Sequence, residues 1–337
     1  MSSVTELLRA PHASPPREAP IHMSRPANCG SLVRMSSQQF RTSGRSSKRP
    51  LEARAAGSGT GFLFCLATVA SIVGLAATYY FFVRTTPGQF IDESALVEAT
   101  ALSGTAGRAS TEFLDMLPML SLAIATVMVL FVTVARRRWR AAGIAVAACV
   151  AANLATQVLK FFIPDRPDRG VQTLELNSLP SGHTTLAASA AAAVFLMVSP
   201  RWRPLAGFLG STFAVATGVS TLINQWHRPA DVIAAFLVVA AVMLPAGWIV
   251  LRTGGSWNVW KGYGEHWAAS RIWVWLTVGA LMIAVMVAAY SLFQVMPGLS
   301  ADSTIDYFWA GTAFIAIAGY LSALGGTWLF GLAARKN

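Results

Sequence analysis

Apolar residues along the chain gather into eight runs, approximately 60–83, 115–135, 142–163, 183–199, 205–223, 229–251, 272–294 and 307–333, with shorter polar stretches between most of them. An α-helix rises 1.5 Å per residue and needs roughly 20 apolar residues to cross a hydrocarbon core about 30 Å thick. The pattern predicts an all-α fold, a polytopic transmembrane helical bundle of about eight spans. Residues 1–57 do not share it. They are rich in Ser, Arg and Pro, with nine basic residues against three acidic ones. Such a segment buries too little apolar surface to offset its ordering entropy, so a disordered basic tail is expected, with Met23 and Met35 as alternative starts. The chain then divides into the tail 1–57, a six-span membrane core 58–251 and two additional spans in 252–337.

Composition strengthens this reading. Of 337 residues, 54% are hydrophobic and only 12% charged, about half the charged share usual for soluble domains. The net charge of +11 raises the question of nucleic acid. No aromatic-basic binding module accompanies it, so nucleic acid is not expected as a partner. The basic residues instead report orientation, because cytoplasmic loops carry the excess of Lys and Arg. Arg136–Arg138 and Arg140, Arg201 and Arg203, Arg252, Lys261 and Arg271, and Arg335–Lys336 all fall on one side of the predicted spans. Both termini are therefore expected in the cytoplasm. The loop 84–114, with Asp92, Glu93, Glu98 and Glu112, is expected outside. Cys29, Cys65 and Cys149 show neither disulfide nor metal spacing.

One outer loop breaks the charge rule. Lys160 precedes the loop 164–182, and Arg166 and Arg169 lie within it. The turn 224–229, Asn-Gln-Trp-His-Arg-Pro, reaches the same face, so two polar clusters meet there. Ionisable groups at membrane depth are functional candidates. Lys160 and Arg166 can converge on one anion, the guanidinium as a planar fork and the ammonium as a point charge; the plain alternative for Lys160 alone is a residue snorkelling to headgroups, as about a third of such residues do. Ser181 is a natural N-cap, and Gly182 leaves the first N–H groups of the helix uncluttered for an anion. The plain alternative is an ordinary capped helix carrying His183. His227 and Asp231 lie one helical turn apart, with Pro229 suited to the first turn. A carboxylate on one ring nitrogen fixes the tautomer and leaves the other nitrogen free to attack; the plain alternative is an interfacial histidine beside Trp226. A zinc site at His183, His227 and Asp231 is disfavoured, since Lys160 and Arg166 would repel a cation. No metal is expected.

Lys160 with Arg166-Pro167, then Pro180-Ser181-Gly182-His183, then His227 with Asp231, in this order on successive spans, resemble the three-part signature of the type 2 phosphatidic acid phosphatase family, which includes membrane lipid phosphatases and soluble vanadium haloperoxidases. The resemblance covers about residues 115–250. It implies that His227 is the nucleophile, that Asp231 orients it, and that His183 protonates the leaving oxygen and later activates water. It implies further that Lys160, Arg166, Ser181 and the Gly182 N–H hold the phosphate oxygens. Two positions depart from the pattern. Five residues, Phe161 to Asp165, separate the lysine from the arginine where the family has six, and Thr221 follows Ser220 where the family has an arginine. Arg228 and Arg169 are further candidates for contact with phosphate.

The expectation is a membrane phosphatase without cofactor, acting at the outer face of the cell membrane. Its partners would be the bilayer and a lipid phosphate within it. Polyprenyl (pyro)phosphate, phosphatidylglycerophosphate and phosphatidic acid are the candidates, and the sequence indicates no oligomeric state. The alternatives are a lipid phosphotransferase using the same site, an inactive lipid-binding or transport relative, and a haloperoxidase, which the membrane architecture disfavours.

Overall fold

A computed structural model describes residues 58–171, 178–253, 257–264, 266–295 and 305–334. The predicted tail 1–57 lies outside the described residues. Among the described residues the fold is all helical: α1 (Ser58–Arg84), α2 (Thr86–Glu98), α3 (Thr100–Leu130), α4 (Trp139–Phe162), α5 (Gly182–Met197), α6 (Arg203–Ile223), α7 (Pro229–Thr253), α8 (Arg271–Gln294) and α9 (Asp306–Ala334). Six helices are long and apolar enough to cross a membrane. A seventh is added if α3 is counted with its π-helical continuation Phe131–Ala135, a pair of segments bent by 43° between Leu117 and Met119. The fourth predicted span is α5, whose 16 residues make it shorter than the others. It packs against α3, α4, α6 and α7. Ala187, Ala188, Ala190 and Ala193 let those neighbours approach closely, as small residues do at membrane helix contacts.

The expected outer loop 84–114 is a correction: it is helical, comprising α2 and the first half of α3. Thr85 caps α2, its hydroxyl accepting from Gly88 N–H at 3.2 Å. The turn out of α1 needs glycine at 88, because a Cβ there would lie 2.0 Å from the Phe81 carbonyl oxygen. At 13 residues α2 is too short to span, and Gln89 and Asp92 on it are buried. Polar residues that read as a wet loop are thus turned inward, where they find partners.

Exposure separates the helices. Half of the apolar stretch of α7 is buried but only 11% of that of α1 and 17% of that of α8, so those two present Ile72, Val73, Trp275 and Ile283 outward. Apolar surface on that scale suits hydrocarbon and not water. Helix α9 packs on α2, α6, α7 and α8, and its Phe308, Ile315 and Phe330 enter the same core as α5 and α7. At the α6–α7–α9 crossing a Cβ on Gly218 would stand 2.5 Å from Val232 and 3.2 Å from Ile315. Gly218→Ala is therefore expected to destabilise the fold by about 1–3 kcal/mol, as overpacking does; a native unfolding midpoint in detergent would refute this.

Two further features bear on the site. Hydrogen bonds descend the α4–α5 seam, Thr156 to Thr185 at 2.9 Å and Asn153 to Ser189 at 3.0 Å. Deeper in the bundle lies an apolar cavity of about 380 Å³, with Ala188, Ala192, Phe195, Phe236, Ala240 and Met243 in its wall.

Candidate active site

Four helix ends build one polar cluster. Lys160 stands in the last turn of α4, and Arg166 follows in the loop. Ser181 caps α5, its hydroxyl oxygen accepting from Thr184 N–H at 3.4 Å, so Gly182 and His183 open the helix. Helix α6 ends at Ile223, and the chain turns through Gln225, which has a φ of 58°. There the Thr221 carbonyl accepts from both Trp226 N–H (2.9 Å) and His227 N–H (3.2 Å). Asp231 lies in the first turn of α7. Ser181 N–H donates to the Asp231 carbonyl at 2.9 Å, and this bond joins the start of α5 to the start of α7.

Asp231 is the hub. Its Oδ2 accepts from His227 Nδ1 at 3.2 Å, from Ser178 Oγ at 2.5 Å and from Arg228 N–H at 3.0 Å. Its Oδ1 lies 4.0 Å from Arg166 Nη2. With Nδ1–H donating to the carboxylate, the imidazole presents Nε2 as its lone-pair nitrogen. The His183 ring stands 5.3 Å from the Trp226 ring and within electrostatic range of His227, Lys160 and Asp115.

The two remaining arginines of the cluster are committed to acidic residues of α2. Arg166, whose side chain is wholly buried, donates Nη2 to Asp92 Oδ2 at 2.8 Å and Nη1 to the Phe82 carbonyl at 3.4 Å, and its Nε has no partner among the described residues. Arg228 donates Nε to Glu93 Oε2 at 2.6 Å and Nη1 to Ser178 Oγ at 3.4 Å. Arg169 is exposed. Thr221, at the position where the family resemblance implies an arginine, is buried and donates to the Gly218 carbonyl of its own helix at 2.7 Å. Sequence reasoning missed Asp92, Glu93 and Ser178 as neighbours of the site. The signal available was slight: two adjacent acids in an interval that reads as a loop, and a serine five residues before His183. Among the described residues no group of three His, Cys, Asp or Glu side chains converges as metal ligands.

Burial pushes the Asp92 carboxyl up from 3.8 to about 6; Arg166 and the Ala230 N–H pull it down, and Asp231 pushes it up further. The folded chain thus holds this proton more tightly than the unfolded chain. The contribution to stability is complete below about pH 4 and is lost as the pH rises through about 6. The native unfolding midpoint is accordingly expected to fall between pH 4 and 7 relative to Asp92→Asn, which cannot titrate there. Parallel midpoint curves for the two proteins would contradict this.

Residues 144–255, a third of the chain, match the model of the PAP2 superfamily. All three sequence clusters, from Lys160 to Asp231, lie inside the matched segment, whereas α2, α8 and α9 lie outside it. The match is consistent with a type 2 phosphatidic acid phosphatase-like family and supports a phosphatase-type hydrolase in a multi-pass membrane protein. No curated protein and no solved structure matches the chain.

Proposed function

We propose that this PAP2-like segment hydrolyses a lipid phosphomonoester or pyrophosphate through a phosphohistidine on His227, at the outer face of the membrane. The observation that carries the reading is His227 Nδ1 held on Asp231 Oδ2 at 3.2 Å, with Asp231 fixed by two further donors. Nε2 of His227 attacks phosphorus, and the bond from phosphorus to the leaving oxygen breaks as His183 delivers a proton to that oxygen. Water then attacks phosphorus, the phosphorus–nitrogen bond breaks, and His183 takes the proton of the water. Lys160, the Gly182 N–H and the Ser181 hydroxyl hydrogen are the donors for the phosphoryl oxygens, with Arg166 Nε behind them. Phosphoryl transfer asks mainly for positioning and neutralisation of charge, which such a set supplies.

The outer placement rests on charge asymmetry. Arg138, Arg203, Arg252 and Arg271 sit at or beside the helix ends opposite those that carry the site, and basic residues mark the cytoplasmic side. A lipid can then keep its chains in the bilayer while its head group reaches His227. A second reading, a relative that binds lipid without turning it over, has one observation in its favour: Asp92 and Glu93 already engage Arg166 and Arg228.

The test is phosphate release by the detergent-purified protein from phosphatidic acid, phosphatidylglycerophosphate and polyprenyl pyrophosphate, with excess chelator present. Chelator-resistant release from at least one of them is expected. Absence of release from all three by folded protein would favour the second reading, and labelled phosphoryl recovered on an added alcohol in place of water would identify a phosphotransferase.

A further inference from the structure

Helix α2 lies outside the segment that matches the PAP2 superfamily, yet it bonds both halves of the site. Toward the loop after α4, Asp92 Oδ2 pairs with Arg166 at 2.8 Å, Gln89 Nε2 donates to the Pro167 carbonyl at 3.0 Å, and Thr86 Oγ1 donates to the Arg169 carbonyl at 3.4 Å. Toward the α6–α7 turn, Asp92 Oδ1 accepts from Ala230 N–H at 2.9 Å and Glu93 Oε2 accepts from Arg228 Nε at 2.6 Å. One Asp92 carboxylate therefore ties the Arg166 loop to the first turn of α7, where Asp231 stands.

The arrangement matters because Arg166 lies between two carboxylates. Its side chain, Asp92 and Asp231 are all fully buried, and a guanidinium does not give up its charge. Its Nη2 is 2.8 Å from Asp92 and 4.0 Å from Asp231. While Asp92 holds that nitrogen, Oδ2 of Asp231 serves His227, Ser178 and the Arg228 N–H. Without the charge on Asp92, the nearest carboxylate left to Arg166 is Asp231, and a movement of about 1 Å would make the two a direct charge-assisted pair. Asp231 would then turn from the imidazole toward the guanidinium.

From this geometry we infer that Asp92 is a positioning residue of the proposed reaction, acting through Arg166 to keep Asp231 committed to His227. The inference rests on the phosphatase reading. It concerns a residue of an element that the family match does not cover, and it predicts an effect on turnover more than on substrate binding.

The experiment measures kcat and KM for phosphate release by the full chain from the best lipid of the panel. Asp92→Asn can keep an acceptor for the Ala230 N–H while removing the charge and the oxygen that accepts from Arg166. Its kcat is expected to fall about 10- to 100-fold with KM within about twofold, as misplacement of a catalytic group does. Glu98→Ala is the control. It lies on the same helix and removes a cap from α9, where Glu98 Oε2 accepts from Phe308 N–H at 2.8 Å. It should lower the thermal midpoint and leave kcat within about twofold, as the loss of a cap remote from the chemistry does. In an Arg166→Gln background, Asp92→Asn should change kcat by less than about twofold, because residues acting through one another are not additive.

A native kcat for Asp92→Asn, an equal loss in Glu98→Ala, or an undiminished further loss in the Arg166→Gln background would overturn the inference. If Asp92→Asn alone does not fold, the Asp92→Asn/Arg166→Gln double variant is compared with Arg166→Gln: equal kcat supports the inference and a further large loss overturns it. A folded native protein that releases no phosphate from any lipid removes the phosphatase reading itself, and the inference with it, which is distinct from native activity unaffected by Asp92→Asn.

Discussion

Replacing His227 by alanine is expected to reduce phosphate release by at least about 10³-fold, because it deletes the nitrogen proposed to attack phosphorus. The loss should come without unfolding. His227 is packed at the end of a turn whose backbone is held independently, with Trp226 N–H and His227 N–H both bonded to the Thr221 carbonyl. His183→Ala should lose activity on a similar scale, and more on substrates with poor leaving groups, since a good leaving group departs without the proton that His183 supplies. Asp231→Asn should cost less than His227→Ala, because the amide can still engage the ring but no longer favours the required tautomer. The measurement is phosphate release paired with thermal unfolding of each variant. Retained turnover in His227→Ala would end the phosphohistidine mechanism, whatever the other variants do.

The second large effect concerns stability. Arg166→Leu would leave Asp92 and Asp231 buried together with the guanidinium between them gone. Breaking a buried pair by removing one partner costs about 3–5 kcal/mol, since the surviving charge stays desolvated. A decrease of that size in the free energy of unfolding is expected at neutral pH. The decrease should shrink as the pH falls, because Asp92, already pushed up to about 6 by its burial, loses the pull of Arg166 and takes up a proton more readily. Restoring balance by removing charge from both sides, in Arg166→Leu with Asp92→Leu, should recover much of the loss. Denaturant titrations at two pH values decide the matter, and an Arg166→Leu protein as stable as the native one would show that the pair contributes nothing.

The long apolar spans were legible because a helix in hydrocarbon satisfies its own backbone and advertises itself by composition alone. The closeness of His227 and Asp231 was legible from their spacing: His227, in the turn just before α7, and Asp231, in its first turn, are four residues apart, and their side chains stand 3.2 Å apart. What the chain did not advertise is α2. Its residues Gln89, Asp92 and Glu93 carry no apolar period, and their partners lie far away in sequence, Asp92 being 74 residues from Arg166 and Glu93 135 from Arg228. Burial of a carboxylate is visible only once its cation is in place, and no local pattern predicts that. For the same reason Arg166 and Arg228 could be named as cations near a phosphate but not as members of ion pairs. The run expected at 183–199 is α5, Gly182–Met197, short for a span in the sequence as in the structure: enclosed by four other helices, it need not match the full thickness of the bilayer.

The apolar cavity between the spans bears on how this protein could be handled. Its upper wall, at Ala188 and Phe236, begins five residues beyond His183 and Asp231, or about 7.5 Å along the helices. Enlarging Ala192 or Ala240 to leucine would put methylenes into this apolar space against the protein side chains that wall it, gaining dispersion attraction. For preparative work this offers a thermostabilised form, suited to detergent and to lattice growth, whose chemistry stays that of the native chain because the altered residues never approach the phosphoryl group.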